Sequence, residues 1–364
     1  MIDTAGQMLL ADVDAAATGL VEVRVPVGEI VDGLTTRATA CAWSGAGQWT
    51  AWSLSALAID GPNELRIHDE ATDSSWVLAE AFTAFYLAPS PCGRYLSHLS
   101  PGPLGLELAV SDVRSGELRV IERGQPLFWA WSDDSTRLAV HVGNRLVIAP
   151  LDGSGNEVIT EEAGSFVAPQ WLPGESVAFV GRDPVRGFPA VLVHGPDGSQ
   201  RPLVALGDNS VGGGRFVLDP DGRRIALIDD AGHLVIHDLL SDERTTASTA
   251  NTVAFFWSPA GDRLAALTIV SPTEVAWSIF DGTRSRLLEP FRPGGRWFSS
   301  VLPFFEQYSR SHSVWSSDGS ALVAIAASGG DGAPTTTDAV VQRLDEHGST
   351  QRVERIELAW WAPG

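Results

Sequence analysis

Between Pro290 and Trp315 the chain reads PFRPGGRWFSSVLPFFEQYSRSHSVW, with a carboxylate, a phenol, a guanidinium and an imidazole at Glu306, Tyr308, Arg310 and His312. Those four types suit small-molecule acid–base chemistry of the lyase or cyclase kind. Glu and His can exchange a proton, Tyr can donate one, and Arg can hold a carboxylate. The same stretch sets Trp297, Phe298, Leu302, Phe304 and Phe305 beside Glu306, Gln307, Tyr308 and His312. Apolar residues next to a few convergent polar ones make a pocket wall or a lid. The competing reading is a hydrophobic plug whose polar residues cap backbone. The expected ligand-binding residues are Trp297, Phe304, Phe305, Glu306, Gln307, Tyr308 and His312. If the chain is an enzyme, Glu306, Tyr308, Arg310 and His312 are the catalytic set.

Other chemistries find less support. His233 and His237 are four apart, but on a strand that spacing spans about 13 Å, too far for one metal. His68 and His237 each sit in an Ile-His-Asp phrase, where a hydrogen bond within a turn is the expected job. The chain has no lysine, so Schiff-base and P-loop lysine mechanisms are excluded. It has no Gly-x-Ser-x-Gly elbow, and Cys41 and Cys92 form neither a disulfide framework nor a zinc spacing. No metal and no cofactor are expected.

The elements that must position these residues come from a repeat. One phrase recurs: an apolar stretch, Trp-Ser or a relative, a Pro/Asp/Gly turn, then Arg-Leu-Ala and an apolar run. Clear copies are FFWSPAGDRLAALTIV from Phe255, WAWSDDSTRLAVHV from Trp129, VLDPDGRRIALI from Val217 and SVWSSDGSALVAIA from Ser313. Looser copies start at Cys41, Leu87 and Pro169, and Trp361–Gly364 looks like an eighth copy cut off in its turn. The anchors fall at 43, 89, 131, 171, 218, 257, 315 and 361, spaced by 39 to 58 residues. That period, with short strands joined by Gly, Pro, Asp and Asn turns, predicts propeller blades of four strands. No stretch keeps a 3.6-residue apolar period, so little helix is expected.

The expected fold is therefore all-β: a single β-propeller domain over residues 1–364, with eight four-stranded blades. Seven is the alternative, should the loose copy at Trp171 not be a blade. A ring must close or leave sheet edges exposed. Residues 357–364 are expected to share a closure blade with residues 1–25, so that the N- and C-terminal strands close the ring. The regular tryptophans Trp43, Trp131, Trp171, Trp257, Trp315 and Trp361 are expected to pack between blades. The longest interval, 58 residues, holds the Pro290–Trp315 insert. Connections between second and third strands are also long after Trp43, Pro89, Trp171 and Trp315, which suggests a binding surface or tolerated insertions.

The Trp-Ser-Pro-x-Gly-x-x-Leu-Ala phrase at Trp257–Ala265 resembles the repeat of TolB-like, WD-repeat-related β-propellers. RIHDEATD from Arg66, AVSDVRSGEL from Ala109 and VIHDLLSDE from Val235 resemble the Asp turn of WD-type repeats. The resemblance spans nearly the whole chain and implies the architecture. It implies no single activity, because such propellers include partner-binding proteins, peptidase domains and lyases.

Acidic residues number 45 against 25 basic ones, a formal charge of −20. Nucleic acid and anionic lipid both need a basic footprint, so neither is the expected partner. No apolar run approaches a membrane span, and the first 20 residues lack the basic start of a signal peptide. The expected location is cytoplasmic, unless a leader precedes the sequence given. The expected function is a binding propeller. Its protein, peptide or small-molecule ligand would lie on the face carrying the connections that enter first strands and those that join second to third strands. The alternative is a small-molecule enzyme at the mouth of the central channel.

Overall fold

The computed structural model describes residues 2–3, 9–12, 21–24, 36–44, 48–56, 63–69, 71–80, 83–103, 105–164, 167–206, 214–329, 336–345 and 348–361. The fold is an all-β β-propeller with seven blades among these residues. Each blade is an antiparallel sheet whose strands, A to D, follow chain order. Blade one comprises Thr36–Trp43, Trp49–Ala56, Asn63–Asp69 and Ser74–Glu80, and blade two Tyr86–Pro89, Tyr95–Gly102, Gly105–Asp112 and Leu118–Gly124. Blade three comprises Leu127–Trp131, Arg137–Val142, Arg145–Pro150 and Glu157–Thr160, and blade four Gln170–Leu172, Ser176–Arg182, Pro189–His194 and Gln200–Ala205. Blade five comprises Phe216–Leu218, Arg224–Ile228, Leu234–Asp238 and Arg244–Ser248, and blade six Thr252–Trp257, Leu264–Ser271, Glu274–Phe280 and Ser285–Leu287. Blade seven has Ala321–Ser328, Thr336–Arg343 and Thr350–Val353, with Trp315 bridging to Leu322 in place of strand A.

The recurring phrase has a local physical job. The residue after the anchor closes the turn from A to B. The Ser258 hydroxyl accepts from the Arg263 N–H (3.0 Å) and donates to Asp262 (2.7 Å). Ser132 does the same with Arg137 and Asp134, and Ser316 with Ala321 and Asp318. In blade five Asp219 takes the part, accepting from Arg223 and Arg224 N–H. The turn glycine needs positive φ, at +66° in Gly222 and +72° in Gly261. Blade three uses Ser135 at φ +61° there instead. The Asp turns from C to D also form: Asp69, Asp112 and Asp238 each accept two backbone N–H groups from the residues two and three ahead. His68 and His237 bond within these turns, to Ser75 and Asp242 respectively.

The chain divides into two compact units. Unit one holds blades one and seven and most of blade two. Unit two holds blades three to six. In unit two the blades are stitched by tryptophan. Trp171 Nε1 donates to the Ala130 carbonyl (3.0 Å), and Trp257 Nε1 to that of Val217 (3.1 Å). Arg137 and Arg224 lie over the two indole rings at 5.2 and 4.7 Å.

The expected eighth blade is corrected to seven. The copy at Trp171 does found a blade; the copy at Trp361 does not. Ile356–Leu358 pairs antiparallel with Ile2–Asp3, while Leu9–Asp12 pairs with Val21–Arg24 in a separate two-stranded sheet. The Trp361 N–H bonds the Ser313 carbonyl at 2.9 Å, beside the entry to blade seven. The terminal strands thus form two separate two-stranded sheets, not one four-stranded blade. Residues 1, 4–8, 13–20, 25 and 362–364 of the expected closure blade lie outside the described residues.

Deleting residues 356–364 removes this pairing together with the buried Ile356, Leu358 and Trp360. The expected loss is about 4 kcal/mol or more, which lowers Tm by about 5 °C for a chain of this length. Calorimetry of the truncated chain checks it; an unchanged Tm contradicts it.

Candidate functional site

The insert is where sequence and structure differ most in local shape. It folds into helix α1, Gly295–Ser300, a 3-10 turn over Leu302–Phe304 and a one-turn helix α2, Phe305–Tyr308. These pieces are too short to show a helical period, so no apolar periodicity marks them in the chain.

In unit one, the Gly294 N–H bonds the Ile325 carbonyl at 2.8 Å. A Cβ on Gly294 would meet Ile325 Cγ2 at 2.6 Å, so glycine is what allows this close seat on blade seven. Trp297 is buried. Arg296 donates from Nη1 to Glu357 (2.7 Å) and from Nη2 to the Thr39 carbonyl (2.8 Å). His312 is buried, with Nε2 2.8 Å from the Cys41 carbonyl and Nδ1 2.7 Å from Ser311 Oγ. A carbonyl only accepts, so Nε2 carries the proton and Nδ1 accepts from Ser311. Ser311 Oγ in turn accepts from the Tyr86 hydroxyl. Burial pushes the imidazole down to about 4, against the Cys41 bond. With Tyr86 and Trp360 rings at 5.6 and 5.0 Å, His312 is a neutral, fixed group at physiological pH.

In unit two, α2 is pinned from both sides of Glu306. Phe305 packs edge-on against Phe255, ring centroids 4.7 Å apart, and against Phe256 at 5.9 Å. Phe304 lies 6.1 Å from Phe128. The Gln307 amide pairs with a single residue of strand A in blade three: Oε1 accepts from the Trp129 N–H (3.0 Å) and Nε2 donates to its carbonyl (2.8 Å). Between these anchors Glu306 has 0% exposure, and neither carboxyl oxygen has a hydrogen-bond partner among the described residues. Burial pushes its pKa up to about 7, with the Arg215 charge acting the other way. Arg215 Nε lies 4.0 Å from Glu306 Oε2. Tyr308 is half-buried and Arg310 exposed.

The expected residues thus divide. Phe304, Phe305, Glu306 and Gln307 meet blades three and six in unit two, and Trp297 and His312 are buried in unit one. Arg215 was not among the residues singled out from the sequence. It directly precedes strand A of blade five, in a connection of ordinary length, so neither repeat spacing nor loop length marks it. The long connections after Trp43 and Trp315 fall largely on residues 57–62 and 330–335, outside the described residues. No group of three or more potential metal ligands occurs among the described residues, nor any helix long and apolar enough to cross a membrane. A separate cleft of about 190 Å³ runs along the seam of blades five and six, walled by Trp257, Phe280 and Arg224 and rimmed by Glu243 and Asp262.

Solved structures share the fold. A crystal structure of the eukaryotic initiation factor matches with a TM-score of 0.56 at 15% identity, over 93% of this chain and 82% of that one. A prolyl endopeptidase structure matches at 0.53 and 13% identity, over 90% of this chain but only 50% of that one. The β-propeller domain of the Trilobed protease from Pyrococcus furiosus matches at 0.52 and 13% identity, over 89% of this chain and 99% of that one. At these identities the likeness is one of fold, and the fold is the β-propeller. No protein-family model and no curated protein matches the sequence.

Glu306 carries a stability signature of definite sign. Its ordinary value is 4.5, and the folded value is about 7. The folded chain therefore holds a proton that the unfolded chain releases between those values. Stability falls as pH rises from 4.5 to 7, by about 3 kcal/mol from this group, and is level above. Glu306→Gln keeps the shape without the charge. Its Tm should exceed that of the wild type at pH 8 and match it at pH 4.5. Equal differences at both pH values contradict the assignment. Gln307→Ala should cost about 2–3 kcal/mol at any pH, because it removes both hydrogen bonds to the buried Trp129 backbone.

Proposed function

We propose that the chain is a binding propeller that acts as one domain and holds a small ligand, without turning it over, at the connection that enters blade seven. The observation that carries this reading is the Arg215–Glu306 pair: a guanidinium that reaches solvent, beside an enclosed carboxyl with no hydrogen-bond partner among the described residues. A strongly perturbed buried acid beside a specific charge is a mark of a functional site. Of the remaining ligand-binding candidates, Phe304, Phe305, Gln307 and Tyr308, which belong to the same unit, would then form its supporting wall. The pairing of Ile2–Asp3 with Ile356–Leu358 supports closure of the ring by the chain ends, and the acidic composition supports a role away from nucleic acid.

The enzyme reading rests on Glu306 alone, whose value of about 7 suits a general acid or base. It draws no support from His312, which is neutral and committed to Cys41 and Ser311. A thermal-shift screen of small molecules and peptides, repeated on Arg215→Met, tests the choice. Ligands that stabilise the wild type, lose their effect in the variant and are recovered unchanged by mass spectrometry are the expected result. Product formation favours the enzyme. Shifts that are identical in the variant place binding elsewhere.

A further inference from the structure

Arg215 is 32% exposed, and its guanidinium carbon lies 5.9 Å from the Phe305 ring centroid. Among the described residues no acceptor hydrogen-bonds its guanidinium, and the charged neighbour it has is Glu306 at 4.0 Å. A planar fork of N–H donors, partly desolvated and unengaged, is matched in shape and charge by a carboxylate. We propose that Arg215 anchors the carboxylate of a small anionic ligand, and that Glu306 is the internal carboxyl that competes with this ligand for the same guanidinium. The proposal deepens the binding reading above and rests on it.

The geometry makes Glu306 a competitor rather than a contact. It is fully enclosed, whereas Arg215 reaches solvent, so a ligand meets the guanidinium from outside and Glu306 from behind it. The pinning of Phe305 and Gln307 keeps the carboxyl from swinging out. At pH 6 burial holds Glu306 largely protonated, which leaves the Arg215 charge to the ligand; as pH rises through 7 Glu306 ionises and claims it. Among the described residues, the segments packed on α2, Leu127–Trp131, Thr252–Trp257 and Leu302–Phe304, contain no charge. Arg310, which follows α2, is exposed and has Asp133 as its charged neighbour. A single fork suits a planar monoanion better than a phosphate, whose extra oxygens and charge would need further donors.

Titration calorimetry of the full chain with benzoate, benzylamine and inorganic phosphate, at pH 6 and pH 8, tests this. Benzoate should bind at pH 6, more tightly than phosphate, and benzylamine should give no binding heat. A competitor ionising near 7 should weaken benzoate about tenfold between pH 6 and pH 8. Arg215→Met should abolish benzoate binding with an unchanged circular dichroism spectrum. Glu306→Gln should keep the binding and lose its pH dependence. No benzoate binding at millimolar concentration, benzoate binding that survives Arg215→Met, or phosphate or benzylamine binding as tightly as benzoate overturns the carboxylate assignment. Wild-type affinity equal at the two pH values overturns the part given to Glu306. An Arg215-dependent ligand that has no carboxylate overturns this inference and leaves the binding reading standing; a screen without any Arg215-dependent ligand overturns both.

Discussion

A blade's strand A pairs with strand B on one side only, and the backbone groups on its other edge must find partners without a further strand. Much of what is distinctive here answers that constraint. In unit two the indole N–H groups of Trp171 and Trp257 take the Ala130 and Val217 carbonyls, each from the preceding blade's strand A. The Gln170 side chain acts like a short strand, donating to the Phe216 carbonyl and accepting from the Leu218 N–H. Gln307 repeats the device on Trp129 from the insert. In unit one Arg296 and His312 take the Thr39 and Cys41 carbonyls of blade one. Each such bond is worth only about 1 kcal/mol net, but an unpaired buried carbonyl or N–H costs more than that.

That constraint also explains why the polar residues of the insert look catalytic in sequence and structural in space. A glutamine or a histidine that hydrogen-bonds a strand edge uses the same atoms it would need for proton transfer or ligand contact. The type of residue cannot tell these uses apart; the partner can. His312 bonds a carbonyl, and that bond fixes its tautomer and leaves Nδ1 to Ser311. Glu306 is the exception in this set, with no hydrogen-bonding partner among the described residues.

Seven of the eight repeat anchors were legible because the phrase around them is local chemistry. A hydroxyl or carboxylate after the anchor, and a residue able to take positive φ at or near the turn's end, are conditions a short sequence window can state. The eighth, at Trp361, matched only the opening of the phrase. Nothing in a window that short reveals that the strand behind it pairs with Ile2–Asp3. The helical turns between Gly295 and Tyr308 were illegible for a different reason. They are held by contacts to distant strands, through Gly294 on Ile325 and Phe305 on Phe255, rather than by their own periodicity. Arg215 lies 91 residues before Glu306 in the chain, so their approach could not be read from spacing.

The carboxyl at position 306 poses a question of energetics that bears on function. A glutamine there would fill the same volume and remove a desolvation cost of about 3 kcal/mol above neutral pH. It would give up only an interaction with Arg215 at 4.0 Å, too long for a hydrogen bond. Stability therefore does not account for an acid at this place. What an acid provides and an amide cannot is a charge that appears and disappears with one proton, next to a guanidinium that has no competing hydrogen-bond acceptor among the described residues. The rest of α2 is fixed so firmly, by Phe305 on one side and Gln307 on the other, that the change in charge has little freedom to relax by moving the backbone. Its effect falls on Arg215, the group that reaches solvent.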